Sequence, residues 1–186
     1  MTANGAFVLF ISGPAGAGKS AAANAWASAR PGCAAHIELD GVREMVKSGF
    51  ADPRDGWSDA TDRQYRIARA NCADMARRYV AEGITCVIDD AIFPLWEASD
   101  YAGWSRLLDA APHRLVILLP DFETTLARNG QRSGRRLLSP DLLRVIYDMM
   151  LPWREQQAYP VLDTSTLTIA QTAQRIQDAL DHAPTA

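Results

Sequence analysis

The sequence has no apolar run long enough to cross a lipid bilayer, and no basic segment precedes its first apolar stretch. These absences argue against a membrane-spanning helix and a secretory signal peptide, so we expect a cytoplasmic protein with no membrane partner. The sequence also has no internal repeat and no low-complexity linker, which argues against a repeat architecture. With 186 residues the chain can bury a full core, and we expect one domain over residues 1–186.

Cysteine is rare, and Cys33, Cys72 and Cys86 form no C-x-x-C pair. An odd, widely spaced set argues against a disulfide framework or a zinc site and favours reduced thiols. The three histidines are scattered and predict no pair of metal ligands. A net charge of −3 argues against a large non-specific surface for nucleic acid, which is therefore not an expected partner.

One segment near the N-terminus combines an apolar run with a glycine-rich turn and a helix-favouring stretch of alanines. Gly13, Gly18, Lys19 and Ser20 fill the fixed positions of the P-loop pattern G-x-x-x-x-G-K-[ST]. The backbone N–H groups of such a loop converge on phosphate oxygens, and the following helix adds its positive dipole end. Lys19 is expected to reach the outer phosphates, and the Ser20 hydroxyl to hold Mg²⁺. The predicted nucleotide contacts are Gly13, Ala15, Gly16, Ala17, Gly18, Lys19, Ser20 and Ala21.

Apolar strands alternate with helix-favouring segments along the rest of the chain. Strands are predicted near 7–11, 36–39, 84–88, 114–119 and 160–162, and helices near 21–29, 42–47, 59–82, 101–110, 122–129, 139–151 and 168–180. This alternation predicts an α/β fold, with a parallel sheet covered by helices on both faces. Ligands bind such sheets at the carboxyl ends of the strands. Asp40, Asp89 and Asp90 follow strands, so we expect them to share one cleft with the P-loop.

Asp40 and Arg43 lie at the end of the second predicted strand. A carboxylate there can accept the proton of a substrate hydroxyl, and Arg43, one helical turn later, can bind an anionic group or orient Asp40. An N-cap aspartate beside a solvated arginine would produce the same sequence. The nearby P-loop favours the functional interpretation, with Asp40 as catalytic base and both residues in contact with substrate.

Asp89 and Asp90 follow the apolar third strand, at the position where a Walker B carboxylate orients Mg²⁺ or its waters. Adjacent residues of an extended chain point to opposite sides, so we expect one of the two to face the metal. The sequence does not distinguish them, and Asp90 is also a candidate substrate contact. One of them can equally be a carboxylate that caps a loop.

Residues 128–136 contain four arginines and two glycines and no apolar side chain. A solvated basic loop fits this composition, but phosphoryl transfer needs cations that close over the migrating phosphate. We therefore predict a mobile lid over about residues 128–138, with Arg132, Arg135 and Arg136 on phosphate and Arg128 flat on the adenine. Arg132 and Arg136 are counted among the catalytic residues.

Weaker candidates lie in the middle of the chain. Trp57 and Trp96 are in loops that should flank the cleft, where they fit either substrate contacts or packing residues. Arg63, Arg66 and Arg69 recur every three residues on the long helix and predict a solvated face.

With these motifs in view, the chain resembles the small P-loop kinases, among them gluconate kinase, adenylylsulfate kinase, chloramphenicol phosphotransferase and polynucleotide 5′-kinase relatives. The segment 39–43, Leu-Asp-Gly-Val-Arg, is similar to the acceptor-handling elements of polynucleotide and adenylylsulfate kinases. The segment 87–93 is similar to the one after strand 3 of chloramphenicol phosphotransferase. The resemblance implies a P-loop NTPase fold with a five-stranded parallel sheet in the order 2-3-1-4-5.

The C-terminal part resembles gluconate kinases, in which the first lid arginine borders the adenine and the later ones meet phosphate. Arg128-x-x-x-Arg132 matches that lid, and the resemblance implies that Thr164 lies beside the adenine. The histidine common after the lid of gluconate kinases is replaced by Arg135-Arg136, which argues against gluconate as substrate. Residues 49–58, which should shape the acceptor pocket, match none of these kinases.

These observations lead to an ATP- and Mg²⁺-dependent phosphotransferase that acts on a hydroxyl of a small molecule such as an antibiotic, sugar or nucleoside. A polynucleotide 5′-hydroxyl kinase is the first alternative, because of the Asp40-x-x-Arg43 element and the basic lid. A nucleotide-dependent regulatory ATPase without an acceptor is the second. We expect a monomer or a homodimer.

Overall fold

The computed structural model describes residues 5–182 of the chain, which contain a five-stranded sheet. Its strands are β1 (Val8–Ser12), β2 (Ala34–Glu38), β3 (Thr85–Asp89), β4 (His113–Leu118) and β5 (Val161–Leu162). All neighbouring strands pair in parallel, in the order β2-β3-β1-β4-β5. This confirms both the predicted α/β fold and the strand order implied by the resemblance to P-loop kinases.

Helices connect the strands and continue beyond the last one. They are α1 (Lys19–Ser28), α2 (Leu39–Arg43), α3 (Asp59–Ala81), α4 (Tyr101–Leu108), α5 (Phe122–Gly130), α6 (Pro140–Met150) and α7 (Ile169–His182). Short 3₁₀ turns lie at Pro53–Asp55, Glu97–Ser99, Gly134–Arg136 and Leu151–Glu155. Within residues 5–182, none of the helices has the length and apolar character that crossing a membrane requires.

Local sequence signals explain where several helices begin and end. The hydroxyls of Ser58 and Ser139 accept hydrogen bonds from backbone N–H groups in the first turns of α3 and α6, as the cap residues predict. The Thr168 hydroxyl does the same for α7. Gly83 follows α3 with φ of +77°, a conformation that glycine adopts without strain.

The core is divided by the sheet, because alternate residues of β1 point to opposite faces. Val8 and Phe10 pack with residues of α3 and α4, whereas Leu9 and Ile11 pack with residues of α1 and α7. All five side chains of β1 are buried, as expected for a strand covered on both faces. This packing holds the carboxyl end of β1, from which the P-loop leaves, in a rigid position.

Two local predictions are wrong. The helix expected to begin near Val42 begins at Leu39, so Asp40 lies in the first turn of α2 and not at the tip of a strand. Arg63 and Arg66 are exposed as predicted, but Arg69 is buried. The guanidinium of Arg69 donates to the carbonyl oxygens of Ala98 and Asp100, so this arginine ties α3 to the segment before α4.

Candidate active site

The P-loop follows β1, and glycine is required where it passes close to other backbone. A Cβ atom on Gly13 would lie 2.1 Å from the carbonyl oxygen of Leu118, and one on Gly16 would lie 2.5 Å from that of Thr125. Gly18 adopts φ of +88° as the N-cap of α1. The loop therefore wraps the start of α1 in the conformation that presents backbone N–H groups to an anion.

Lys19 opens α1, and its half-buried side chain turns back onto the loop. It donates hydrogen bonds to the carbonyl oxygens of Gly13 at 2.9 Å and Pro14 at 3.2 Å. Burial lowers the pKa of Lys19, whereas the charges of Asp89 and Asp40 raise it. A phosphate group beside this lysine would further favour its charged form.

Ser20 and Asp89 lie together at the ends of α1 and β3. The Ser20 hydroxyl donates to Oδ1 of Asp89 at 3.0 Å, and Nε2 of His36 lies 2.6 Å from Oδ2. The β2–β3 register places Glu38 directly opposite Asp89. Ligand atoms of His36, Glu38 and Asp89 all lie within 4.8 Å of one another. The scattered histidines predict no metal ligands, but His36 belongs to this group.

The donors at this position fit a hard divalent cation. The Ser20 hydroxyl and the Asp89 carboxylate are oxygen ligands of the kind Mg²⁺ prefers, and they lie near Lys19, the residue predicted to bind phosphate. In this arrangement His36 would hold the second oxygen of Asp89 and so orient the first.

Asp90 points away from this group. Its Oδ1 accepts a hydrogen bond from the Tyr65 hydroxyl at 2.8 Å, and its Oδ2 accepts one from Nε1 of Trp104 at 2.9 Å. Burial raises the pKa of Asp90, while the charge of Arg69 lowers it. Of the two candidate metal ligands, the structure therefore brings only Asp89 to Ser20, and Asp90 connects β3 to α3 and α4.

Asp40 and Arg43 form a pair in α2 that faces the cleft. Nη1 of Arg43 donates to Oδ1 of Asp40 at 2.9 Å, with the arginine 8% and the aspartate 75% exposed. The Arg43 guanidinium also lies over the rings of Phe50 and Tyr65, and its buried Nε has no hydrogen-bond partner among residues 5–182. The Arg43 guanidinium is thus held in place, and the carboxylate that it contacts is open to solvent.

The predicted lid arginines line the same space. Nη2 of Arg136 lies 3.8 Å from Glu38, and Nη1 of Arg135 lies 3.5 Å from Asp52. Burial lowers the pKa of Arg132, the charge of Arg136 lowers it further and that of Asp40 raises it. Arg132 and Asp40 therefore line the same part of the cleft.

Arg128 has a different position. Its Nη2 donates to the carbonyl oxygen of Thr164 at 2.9 Å, so the two residues predicted beside the adenine contact each other. Arg128 belongs to α5, whose Thr125 packs against Gly16 of the P-loop. The structure thus brings Arg128 and Thr164 together near the loop.

A cavity of about 360 Å³ joins the P-loop, α2 and the end of β3. Its lining includes Lys19, Ser20 and Asp89 together with Asp40 and Arg43. Aromatic and aliphatic side chains complete the wall: Phe50, Trp57, Phe93, Trp96, Leu138, Leu142, Val145, Ile146 and Met149. The predicted convergence of the P-loop, Asp40, Asp89 and Asp90 on one cleft is therefore present in the geometry.

Trp57 and Trp96 both line this cavity, and they also pack against each other. Their ring centroids are 4.4 Å apart in an edge arrangement, and the centroids of Phe93 and Trp96 are 5.3 Å apart. Trp57 also packs edge-on against Tyr65. The two interpretations of these tryptophans, packing and substrate contact, are therefore compatible.

The family model described as an AAA domain matches residues 8–151. The chain belongs to this family. The match spans the P-loop, the predicted acceptor elements, the lid and α6, and it supports the resemblance to small P-loop kinases. No sequence among the curated proteins matches the chain.

Similar solved structures confirm the P-loop kinase fold. A sugar kinase from Janibacter sp. HTCC2649 has a TM-score of 0.69 and 18% identity, with 96% of each chain covered. Shikimate kinase from Acinetobacter baumannii, in complex with shikimate, has a TM-score of 0.66 and 17% identity over 97% of this chain and 96% of that one. A tunicamycin resistance protein from Deinococcus radiodurans has a TM-score of 0.64 and 18% identity over 97% of this chain and 99% of that one.

Proposed function

We propose that this P-loop kinase transfers the γ-phosphate of ATP to a hydroxyl group of a small molecule. The observation that carries the proposal is the Asp40 carboxylate, which Arg43 orients and which opens into the same cavity as Lys19 and Ser20. A cavity of about 360 Å³ suits a small molecule. The fold of kinases with hydroxylated substrates supports the same conclusion.

In this proposal the P-loop amides and Lys19 bind the phosphates. Ser20 and Asp89 would hold Mg²⁺, which neutralises charge on the β- and γ-phosphate oxygens when bound. Asp40 takes the proton from the acceptor hydroxyl as the hydroxyl oxygen attacks the γ-phosphorus. The bond between that oxygen and phosphorus forms, the bond between phosphorus and the β–γ bridging oxygen breaks, and ADP leaves.

Arg132 and Arg136 stabilise the transferring phosphoryl group in this scheme, because both guanidinium groups line the cavity. Residues 128–130 of the predicted lid belong to α5, so in this proposal the moving part is residues 131–138, which bring these charges over the phosphate and exclude water. Arg128 and Thr164, which contact each other, border the adenine in this scheme.

An ADP-release assay with Mg²⁺-ATP tests the proposal. The acceptor panel contains sugars, shikimate, nucleosides, aminoglycosides, tunicamycin and oligonucleotides with a free 5′-hydroxyl. We expect one class of small molecule to stimulate ADP release, and mass spectrometry to find one added phosphate on that acceptor. Stimulation by oligonucleotides alone would identify a polynucleotide kinase, and rapid hydrolysis independent of any acceptor would identify a regulatory ATPase.

A further inference from the structure

An apolar groove of about 450 Å³ adjoins the acceptor side of the cavity. It is lined by Phe93, Leu95, Trp96, Val145, Asp148, Met149 and Pro152. Four of these residues, Phe93, Trp96, Val145 and Met149, also line the cavity itself. The groove is thus a continuation of the acceptor side of the cavity.

The groove exposes apolar side chains that water solvates poorly. Leu95 is 79% exposed, Val145 55% and Met149 39%. Single exposed apolar residues are common on soluble proteins, but these three lie on one continuous surface that begins inside a ligand cavity. A surface of this kind is typical of ligand-binding grooves.

The charges along the cleft separate the polar cavity from the groove. Arginines and carboxylates surround the cavity, among them Asp40, Arg43 and Arg132. The ionisable lining residue of the groove is Asp148, which is half exposed and lies 3.9 Å from Arg144. The groove therefore suits an uncharged apolar group, whereas the cavity suits a polar one.

We propose that the acceptor is amphipathic, with its hydroxyl-bearing polar part at Asp40 and an apolar alkyl or aromatic part along the groove of Phe93, Leu95, Trp96, Val145 and Met149. The inference rests on the proposed function, since it describes the molecule that occupies the acceptor side. It predicts that a plain sugar fills only the polar part of the site, and that an apolar substituent adds affinity without any new hydrogen bond.

Binding of n-alkyl β-D-glucosides, from methyl to octyl, tests this directly. Dissociation constants are measured by isothermal titration calorimetry below the micellar concentration, with a non-hydrolysable ATP analogue and Mg²⁺ present. Burial of each methylene group is expected to tighten binding about fourfold until the groove is filled. The quantity read is the slope of the logarithm of affinity against chain length. How well glucose itself fits the cavity changes the intercept of that line and not its slope.

Two groove variants and one matched control sharpen the test. Val145→Asp and Leu95→Asp should flatten the slope, because each puts a charge where the alkyl chain lies. Ile67→Asp should leave the slope unchanged, because Ile67 is also 55% exposed and at mid-helix, but in α3 and outside the groove. A flat slope in the unmodified protein, or equal slopes in all variants, would overturn the proposal.

Two further outcomes separate this inference from the proposed function. If long-chain glucosides bind through the groove but no hydroxyl compound is phosphorylated, the groove assignment stands and the kinase assignment fails. If acceptors are phosphorylated with no preference for apolar substituents, the kinase assignment stands and the groove assignment fails. A groove covered by a second copy of the chain would also overturn it, and would appear as a dimer in sedimentation that Val145→Asp dissociates.

Discussion

The proposed phosphate side of the cleft is built around one continuous segment, residues 13–20, joined by Asp89 and the lid arginines. The proposed acceptor side is instead assembled from α2, the loops around residues 50–57 and 93–96, and α6. The first side depends on backbone geometry, with glycines packed against Leu118 and Thr125. The second depends on side chains that meet only in the folded chain. Spacing in the sequence therefore identifies nucleotide chemistry, while acceptor choice depends on long-range packing.

Asp40→Asn should separate the two sides most strongly. We expect turnover to fall by about 10²- to 10⁴-fold, because a general base of this kind contributes that factor. Affinity for ATP should stay near its original value, since Asp40 lies on the acceptor side. Steady-state kinetics and calorimetry measure the two effects. Glu44→Gln is a matched control, because Glu44 lines the same cavity and should tolerate the change. Full turnover in Asp40→Asn would rule out this base.

Lys19→Ala should affect the phosphate side instead. Turnover is expected to fall by roughly 10²- to 10³-fold, the effect of losing one preorganised donor to developing charge, and ATP should bind more weakly. Lys47→Ala provides the control, because Lys47 is the only other lysine of the sequence and is exposed. Unchanged affinity for ATP in Lys19→Ala would contradict the assignment of the P-loop.

His36→Ala tests how the phosphate side is supported by residues outside the P-loop. Loss of the contact between Nε2 and Asp89 should raise the Mg²⁺ concentration for half-maximal activity by about 10- to 100-fold, as for other residues that orient metal ligands. His36→Gln should recover part of the loss, because its side-chain amide can still donate to Asp89. His182→Ala, at the exposed end of α7, is the control. A Mg²⁺ titration that does not shift would show that His36 has no positioning role.

Substitution of Asp90 should lower the free energy of unfolding and leave Mg²⁺ binding unchanged, in contrast to substitution of its neighbour Asp89. Asp90→Ala leaves the Trp104 N–H without its buried acceptor and removes one of the two partners of the Tyr65 hydroxyl, which should cost about 1–3 kcal/mol of unfolding free energy. Asp90→Asn keeps an oxygen and should cost less. Chemical denaturation measures both variants. Equal Mg²⁺ dependence of Asp90→Asn and Asp89→Asn would remove the distinction between the two carboxylates.

The same residue predicts a small dependence of stability on pH. Because burial raises the pKa of Asp90 above its ordinary value of 3.8, the folded chain binds this proton more tightly than the unfolded chain. Its contribution to stability is therefore full below pH 3.8 and is lost as pH rises through the folded pKa. Asp52, whose pKa is lowered by its hydrogen bond to Arg54, contributes stability that is lost as pH falls. This contribution is the same in the unmodified protein and in Asp90→Asn, so it cancels when the two are compared. As pH rises from 3.8 through the folded pKa of Asp90, the unfolding free energy of Asp90→Asn should therefore increase relative to that of the unmodified protein.

Much of the architecture follows from local patterns in the sequence. Continuous apolar runs identify the strands, and caps such as Ser58 and Ser139 identify helix starts because each satisfies backbone N–H groups nearby. Gly83 marks the end of α3 through its positive φ. The P-loop is recognisable because its function requires glycine and lysine at fixed spacing.

The misassigned residues depend on contacts between segments far apart in the chain. Arg69 has the spacing of a solvated face, but the segment before α4 covers it. His36 and Asp89 are 53 residues apart, and only the β2–β3 pairing brings them together. Which of Asp89 and Asp90 faces Ser20 depends on how β3 pairs with β1 and β2. A continuous apolar strand has no alternation from which this register could be predicted.

The most direct test of the account is to follow the phosphate itself. ATP with ¹⁸O-labelled γ-phosphate is incubated with the protein, Mg²⁺ and the acceptor found in the hydroxyl panel, and the products are analysed by mass spectrometry. Direct transfer predicts an acceptor phosphate that carries the labelled oxygens, formed by the unmodified protein and strongly reduced in Asp40→Asn. Label found in free inorganic phosphate at the same rate with and without acceptor would contradict the assignment of a hydroxyl kinase.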